Sequence, residues 1–345
     1  MPKLISLGGH SFKLIGDPHI GRVFKTGVPL ARLGDREKMV QDQLASELLS
    51  NDNTPIIIMG DLFDKYSIPD FLVLWLSEVL NEAAIFKRIY ILRGNHCVSR
   101  EANKRGSFDV LERLCPEVVF VNTYKLINLP QHAGSLILFG YDAFKSAKEL
   151  AEEIPDNLNY LAAFGHWDIT AHGEDTHNLI PAAVLAAKGI KTAYTGHIHK
   201  PQQLKIQGVE VIVVGSLQPY AHGEELPDET LYQTHGKEET EELLAEDENY
   251  FADVNLRVLI PSGESWTANV PNCLSFQVKV LANNPNDADL SDLEVGYEEF
   301  STTITSNVPE SPLPNAPGTS PCRRTWSELV GVPAFMGASV SIADS

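Results

Sequence analysis

The stretch PIIIMGD (55–61) combines a short run of β-branched residues with a glycine and an aspartate at its end. Such a run is typical of a buried β-strand, and the polar residue follows where the strand would stop. Four further stretches have the same form: FKLIGD (12–17), RIYILRGNH (88–96), YLAAFGH (160–166) and KTAYTGHIH (191–199). Between them, residues 35–50 and 69–83 are predicted to form helices, the first with Asp35 as its N-cap. This alternation predicts a layered α/β domain.

Polar side chains at several strand ends predict one shared site, because ligands of open α/β sheets bind beyond the carboxyl ends of the strands. Taken singly, each motif is better explained as a turn or a core histidine, but five of them in order are not easily explained that way. Carboxylate, amide and imidazole groups suit Mn, Fe or Zn. His96, beside Asn95, could instead reach a bound substrate as a general acid or phosphate clamp. The candidate metal ligands are Asp17, His19, Asp61, Asn95, His166, His197 and His199.

The charge of the chain is distributed unevenly. The net charge is −19 over 345 residues, but residues 1–219 hold 22 Lys+Arg against 24 Asp+Glu, whereas residues 220–345 hold 5 against 22. The near-neutral first part can carry local basic patches, and the acidic remainder should repel phosphate backbones except where metals or partners intervene. The four cysteines are scattered and no run approaches the roughly 18 apolar residues of a membrane span, so we expect a cytoplasmic protein without membrane contact.

The sequence changes character after Gly215-Ser216-Leu217. The acidic segment 224–250 predicts a loop and a charged helix, and two strand-like runs follow at 255–261 and 274–282. From residue 301 the chain is rich in Ser, Thr and Pro, which predicts disorder. We therefore expect three regions: a catalytic domain (1–220), an acidic segment with a small α+β addition (221–300) and a disordered tail (301–345).

The ordered motifs Asp-x-His, Gly-Asp, Gly-Asn-His, Gly-His and Gly-His-x-His resemble those of the calcineurin-like metallophosphoesterases over about residues 12–220. The resemblance implies a four-layer α/β/β/α sandwich with two divalent metal ions, first of all Mn, with Fe, Zn or Mg as alternatives. Asp61 would bridge the ions, and His96 would lie at the substrate phosphate. One ion would take Asp17, His19, Asp61 and His199, and the other Asp61, Asn95, His166 and His197.

Further residues resemble the SbcD-type DNA-repair nucleases, especially the compact versions carried by phages. These are Gly21, the continuation Gly60-Asp61-Leu62-Phe63-Asp64 and the closing run Gly215-Ser216-Leu217-Gln218-Pro219-Tyr220. This resemblance implies a DNA exo- or endonuclease subunit with an SMC-like ATPase partner and a homodimeric state, and it places Asp64 with His96 in the catalytic set. A small DNA-capping domain follows the Gly-Ser motif in that group, and residues 250–282 could be its reduced counterpart.

Basic residues near the motifs are candidates for DNA contacts, since nucleic-acid binding requires cations at phosphates. Ordinary solvated charges are the alternative explanation. The candidates around the third motif are Arg93, Arg100, Lys104 and Arg105, and those near the first two are Arg22, Lys25 and Lys65.

One position departs from the family pattern. Cys97 follows Gly-Asn-His where the family usually has an acidic residue, whose loss could loosen the orientation of Asn95 or His96. Cys97 could alternatively bind a soft metal.

Two other functions remain open at the level of sequence. One alternative is a nucleotide or cyclic-nucleotide phosphodiesterase, or a phosphatase, built on the same scaffold. A catalytically weak protein that binds a partner through its acidic region is the other alternative.

Overall fold

The computed structural model of the protein describes most of the chain up to residue 281. The described residues belong to one compact unit, Met1–Asp289. The predicted tail (301–345) and the DNA-contact candidate Arg100 lie outside them. The described ranges are 2–99, 101, 104–130, 133–171, 173, 175–224 and 230–281.

The first sheet has five strands in the order β1-β2-β3-β4-β5. β1 and β2 form an antiparallel hairpin, and the remaining neighbours are parallel, with Lys13 opposite Ile56 and Ile56 opposite Ile89. Four successive parallel strands, β2 to β5, therefore end at the same edge. The strands are β1 (Lys3–Leu7), β2 (His10–Ile15), β3 (Ile56–Ile58), β4 (Ile89–Leu92) and β5 (Val119–Val121).

The second sheet has six strands in the order β10-β11-β9-β8-β7-β6. Its four central strands are parallel, and the edge strands β6 and β10 are antiparallel to their neighbours. The strands are β6 (Tyr124–Asn128), β7 (Ser135–Phe139), β8 (Tyr160–Gly165), β9 (Thr192–Thr195), β10 (Gln202–Ile206) and β11 (Val209–Val213).

Helices cover the outer face of each sheet. Residues of α1 and α2 share a buried core with Ile56 and Ile58 of β3, and residues of α4 and α5 share one with Ala163 and Ala193 of the second sheet. The helices are α1 (Asp35–Leu48), α2 (Asp70–Ala84), α3 (Ser107–Leu114), α4 (Ala147–Glu153) and α5 (Ala182–Ala187).

The two sheets pack against each other through a third core. Successive residues of a strand point to opposite faces, so Ile57 and Met59 face away from the helices that Ile56 and Ile58 meet. Ile57 and Met59 are fully buried and cluster with Leu138 and Phe164 of the second sheet. The order of layers is helix, sheet, sheet, helix, and the predicted α/β/β/α sandwich is confirmed.

The prediction that Asp35 caps α1 is wrong by one residue. The N-cap is Gly34, whose φ of 93° is a left-handed conformation that favours glycine. Asp35 is the first helical residue, and its Oδ2 accepts a hydrogen bond from Arg32 Nε at 2.6 Å instead of capping the helix.

A third, smaller sheet follows the sandwich. β12 (Tyr232–Gly236), β13 (Asn255–Ile260) and β14 (Ser275–Val280) are parallel, and α6 (Lys237–Glu246) connects the first two. The charged helix and both strand runs expected in this region are therefore present. The main-chain N–H of Phe276 donates to Gly27 O at 2.8 Å, which joins this sheet to the loop after β2.

In the described part of the chain, no helix has both the length and the apolar character needed to cross a membrane.

Candidate metal centre

The polar motifs of both sheets meet at one edge of the sandwich. Asp17 follows β2, and His197 follows β9 of the other sheet. The main-chain N–H of His197 donates to Asp17 Oδ1 at 2.9 Å, and His166 Nδ1 donates to the carbonyl oxygen of Met59 at 3.0 Å. These contacts bring the predicted ligands of the two sheets together.

Asp61 lies at the centre of the cluster and is only 2% exposed. Its Oδ2 is 3.1 Å from His166 Nε2 and 3.9 Å from His19 Nε2. Its Oδ1 accepts the main-chain N–H of His96 at 3.0 Å. One carboxylate therefore faces imidazoles that are delivered by different sheets.

Four imidazoles face each other in two pairs. His19 Nε2 lies 3.1 Å from His199 Nε2, and His166 Nε2 lies 3.2 Å from His197 Nδ1. Asn95 Oδ1 is 2.9 Å from His166 Nε2. The structure thus places each of the seven predicted ligands beside at least one other.

In each of these imidazoles, the ring nitrogen that points away from the paired histidine, here called the outer nitrogen, lies close to an oxygen atom. An acceptor at the outer nitrogen holds the proton there, so that the inner nitrogen presents its lone pair. For His166 the acceptor is the Met59 carbonyl. Carboxylate oxygens face two others: Asp168 Oδ1 lies 2.8 Å from His197 Nε2, and Glu224 Oε1 lies 3.0 Å from His199 Nδ1. Asp64 Oδ1 lies 3.3 Å from His19 Nδ1 without hydrogen-bond geometry.

This arrangement fits divalent metal ions. Two inner lone pairs about 3 Å apart repel each other unless a proton or a cation lies between them. The donors are carboxylate and amide oxygens with imidazole nitrogens, the set that first-row divalent ions accept. Two groups of ligand atoms, each within 4.8 Å, share Asp61: one adds Asp17 and His19, and the other adds His166 and His197.

The backbone at the site is strained. A positive φ is uncommon for residues other than glycine and costs on the order of 1 kcal/mol or more at each position. Here it occurs at four of the predicted ligands: Asp17 (33°), His19 (46°), Asp61 (37°) and His197 (72°). The fold holds these side chains in directions that relaxed strand ends would not give them.

Two glycines allow the ligands to approach. Gly60 has a φ of 113°, and a Cβ there would overlap the ring of His166. A Cβ at Gly94 would overlap the carboxylate and backbone of Asp61. Glycine is therefore required at both positions by close contacts with ligands.

Burial and charge shift the pKa values within the site. Burial raises the pKa of Asp17, and the neighbouring Asp61 carboxylate adds to this effect. Burial also disfavours the charged form of Asp61, but His166 and His19 outweigh it and lower the pKa of this carboxyl. Burial alone would lower the pKa of His166, yet the Asp61 and Asp17 carboxylates raise it to about 9.

His96 lies at the open side of the site, with 43% of its side chain exposed. Its Nδ1 donates to the Asp64 carbonyl oxygen at 2.6 Å, and its Nε2 is 3.9 Å from Asp61 Oδ2. The Asp64 carboxylate lies beside His19, and the Asp64 main-chain carbonyl accepts the hydrogen bond from His96. The structure therefore places Asp64 behind both histidines and His96 where a substrate could reach it.

Cys97 belongs to the hydrophobic core and not to the cluster. It is 2% exposed and packs among the apolar residues between the first sheet and its helices. Burial, with a smaller contribution from Asp61, raises the pKa of this thiol to about 12. Because Cys97 packs among apolar side chains and is not in the groups of ligand atoms found in the described residues, the structure argues against a soft-metal role.

The predicted DNA-contact residues are partly engaged by acidic neighbours. Arg93 Nη2 is 3.3 Å from Asp109 Oδ1, and Lys104 Nζ is 2.7 Å from Glu101 Oε1. Arg105 is exposed. Arg93 and Lys104 thus pair with carboxylates, whereas Arg105 is exposed to solvent, and DNA contact by these three side chains stays a prediction.

Sequence reasoning missed three residues that hold the ligands. Asp168 and Glu224 contact histidines as described above, and Tyr220 donates its hydroxyl to the carbonyl oxygens of Asp17 and Pro18 at 3.0 and 2.6 Å. Asp168 stands two residues after His166, a spacing that could have suggested it. Tyr220 ends the Gly-Ser-Leu-Gln-Pro-Tyr run, but the run does not reveal which residue turns back to the site.

Comparisons with known proteins agree with this geometry. The family model described as "Calcineurin-like phosphoesterase" matches residues 10–201, which is more than half of the chain. No protein with a curated description is significantly similar in sequence.

Several solved structures are similar to this chain. They include the phosphopantetheinyl hydrolase PptH from Mycobacterium tuberculosis, at 13% identity and a TM-score of 0.39, covering 61% of this chain and 93% of that one. A putative 5'-nucleotidase from Staphylococcus aureus has 15% identity and a TM-score of 0.37, with 60% of this chain and 48% of that one covered. The protein TT1561 of Thermus thermophilus has 11% identity and a TM-score of 0.35, with 60% and 89% covered.

Proposed function

The chain belongs to the calcineurin-like phosphoesterase family, and we propose that within this family it is a DNA nuclease subunit of the SbcD type. Membership makes it a metal-dependent phosphoester hydrolase with a site for two divalent ions. The observation that carries the hydrolytic function is the position of Asp61. Its Oδ2 faces His166 at 3.1 Å and His19 at 3.9 Å, so one carboxylate can serve both ions.

We assign each ion to the residues that surround it. When bound, two divalent ions lower the pKa of a water molecule and stabilise the charge that develops on the phosphoryl oxygens. Asp17, His19, Asp61 and His199 would hold one ion, and Asp61, Asn95, His166 and His197 would hold the other.

His96 is proposed as the proton donor. Because its Nδ1–H is held by the Asp64 carbonyl, the ring is oriented with Nε2 away from that contact and close to Asp61. A protonated Nε2 can hydrogen-bond a phosphoryl oxygen and then give its proton to the leaving oxygen. Asp64 acts here as a positioning residue for both His96 and His19.

The choice of DNA as substrate is supported by local features around the site. Asp64 and Gly21 occupy the positions that the SbcD-type resemblance requires, and the closing run returns to the site through Tyr220. Arg22, whose guanidinium lies 5.0 Å from the Tyr220 ring, places a cation beside the ligands. The same resemblance leads us to propose an SMC-like ATPase partner, a homodimer and Mn as the working metal.

A substrate panel tests this function. The full chain loaded with Mn should degrade linear DNA, and circular and single-stranded DNA would define the mode of attack. Asp17→Ala should abolish cleavage together with metal binding, whereas His96→Ala should abolish cleavage alone. Lys148→Ala, a change of an exposed side chain on α4, serves as the control.

Other outcomes would identify the alternatives. Turnover of free nucleotides or small phosphodiesters without DNA cleavage would refute the nuclease proposal in favour of a nucleotide phosphodiesterase or phosphatase. Two bound metal equivalents without hydrolysis of any phosphoester would instead favour a partner-binding protein.

A further inference from the structure

A cavity of about 370 Å³ opens beside His19. It lies between the residues that follow β2, one side of α1 and the start of α2. Its volume is within the roughly 300–1,000 Å³ of small-molecule sites, which are mostly apolar with a few polar groups. The apolar lining includes Ile20, Val23, Phe24, Val40, Ile68 and Phe71. Because His19 belongs to both, a molecule in this cavity adjoins the metal centre.

Glu37 brings an acceptor to the cavity from α1. Its Oε1 accepts the main-chain N–H of Phe24 at 2.9 Å. Its Oε2 is buried, and the described residues offer it no hydrogen-bond donor. A buried carboxylate oxygen without a donor is unfavourable, so the cavity favours an occupant that carries N–H groups.

Aromatic rings stand at the same cavity. Phe71, the second residue of α2, lines the cavity and is 68% exposed, and Phe24 lines the cavity as well. Exposed aromatic rings provide stacking surfaces for flat ligands. Arg22 also lines the cavity, and its Nη1 is 3.8 Å from Asp64 Oδ1, on the side of the metal ligands. The cavity thus offers an aromatic surface, an N–H acceptor and a cation next to the phosphate site.

We propose that this cavity binds the nucleobase attached to the phosphate that reacts at the metal centre, with a preference for bases that carry an amino group. Adenine, cytosine and guanine present amino donors that Glu37 Oε2 can accept. Thymine presents carbonyl oxygens on both sides of its N3–H, and a carboxylate repels them. The inference rests on the proposed phosphoesterase function, because it places the phosphate of the same molecule at the ions.

Binding of hydrolysis-resistant nucleotides tests the base preference directly. The full chain loaded with Mn is titrated calorimetrically with the 5'-thiophosphates of deoxyadenosine and thymidine and with deoxyribose 5-phosphate. The deoxyadenosine compound should bind about tenfold more tightly than the thymidine compound. The base-free sugar phosphate should bind more weakly than both.

Glu37→Gln should reverse the preference. The glutamine oxygen can still accept the Phe24 N–H, so the amide nitrogen replaces Oε2 as a donor toward the base. This variant should therefore bind the thymidine compound more tightly than the deoxyadenosine compound. Glu78→Gln, the same chemical change on the exposed side of α2, should retain the original preference.

Phe71→Ala tests the stacking surface. It should weaken binding of both nucleotides about tenfold and leave deoxyribose 5-phosphate unchanged. Phe86→Ala is the matched control, since Phe86 is 65% exposed and lies outside the cavity lining. Equal binding of all three ligands, or unchanged binding by both cavity variants, would overturn the proposal.

Cleavage assays separate this inference from the proposed function. DNA cleavage by a protein whose cavity variants bind nucleotides normally would leave the nuclease proposal standing and remove the base subsite. Altered nucleotide binding in the variants, with no DNA cleavage by the wild type, would support the subsite and remove the nuclease.

Discussion

At the scale of single residues, His96 differs from the ligand histidines in exposure and in contacts. It is 43% exposed on its side chain, and its Nε2 is 3.9 Å from the nearest carboxylate oxygen of Asp61. His96→Gln should lower kcat by a hundredfold or more if the ring donates a proton, with metal content unchanged. Steady-state kinetics with elemental analysis of the same sample measures both quantities. Loss of one metal equivalent in this variant would show that His96 is a ligand instead.

The outer carboxylates should matter almost as much as the ligands they hold. Asp168→Asn removes the charge beside His197 Nε2, and Glu224→Gln removes the charge beside His199 Nδ1. Outer partners of this kind contribute about 10- to 100-fold in metal affinity, so each variant should bind Mn correspondingly more weakly. Competition with a metal chelator gives the affinities. Glu246→Gln, on the exposed side of α6, is the control, and equal losses in all three variants would contradict a specific role.

Much of the site could be predicted from residue types at strand ends, but its supporting residues could not. Parallel strands of one sheet end at one edge, so Asp17 and Asp61 were expected near each other. His166 follows a strand of the second sheet and reaches them because the two sheets pack together. Which loop residue turns back toward that edge depends on the path of the loop, so Tyr220 and Glu224 were not predictable. The left-handed backbone at Asp61 likewise leaves no mark on the sequence except the glycine before it.

At the scale of elements, Arg36 joins α1 to the end of the sandwich. It is 1% exposed, and its guanidinium donates to Gln218 Oε1 at 2.6 Å and to the Pro219 carbonyl oxygen at 3.0 Å. The group also lies 4.8 Å from the Phe24 ring. One buried cation thus ties the first helix to the run that ends in Tyr220.

Arg36→Leu should therefore destabilise the protein. The change leaves the buried Gln218 Oε1 and the half-buried Pro219 carbonyl oxygen without their donor, which predicts a loss of about 2–4 kcal/mol in the free energy of unfolding. Urea denaturation of the metal-loaded protein measures this quantity. Lys38→Ala, which removes an exposed ion pair with Asp42 in the same helix, should change stability by less than about 1 kcal/mol. Equal stability of the two variants would contradict the bridging role of Arg36.

The elements themselves were predictable to different degrees. α1 and α2 agree with the sequence prediction to within two residues, because their apolar residues recur at helical spacing over 14 and 15 positions. β5 (Val119–Val121) was not predicted: it has three residues, as β3 does, but no glycine with a polar residue follows it as Gly60 and Asp61 follow β3. The order of strands in both sheets also depends on packing that a single sequence does not reveal.

At the scale of the whole molecule, the small third sheet is attached to the loop that borders the cavity. Arg32 Nη2 donates to Asp253 Oδ1 and Arg32 Nη1 to the Asn272 carbonyl oxygen, both at 2.5 Å. The main-chain N–H of Phe276 also donates a hydrogen bond to the carbonyl oxygen of Gly27, which lies with Arg32 in the loop after β2. The region after the sandwich therefore holds the segment that carries Arg22 and Phe24. The division of the chain at residue 220 stays a prediction, and these contacts join the two predicted parts beside the cavity.

Metal binding should stabilise the whole fold, because the site joins both sheets. The inner nitrogens of His19 and His199 face each other at 3.1 Å, and Asp17 and Asp61 are buried beside them. Ions that bind only the folded state add about 2.7 kcal/mol at a hundredfold excess over Kd, which corresponds to a rise in Tm of about 5 °C. Differential scanning calorimetry of chelator-treated protein, with and without Mn, measures the shift.

Asp61→Asn is the decisive variant in that experiment. Loss of the carboxylate shared by both ligand groups should remove the Mn-dependent rise in Tm, whereas Asp42→Asn, the same change on an exposed helix face, should retain it. Elemental analysis should find two Mn equivalents in the wild type and in Asp42→Asn. Because the two groups share Asp61, loss of its charge should weaken both ions together. An Asp61→Asn protein that keeps one tightly bound equivalent would show that the two ions are held independently and that Asp61 does not connect them.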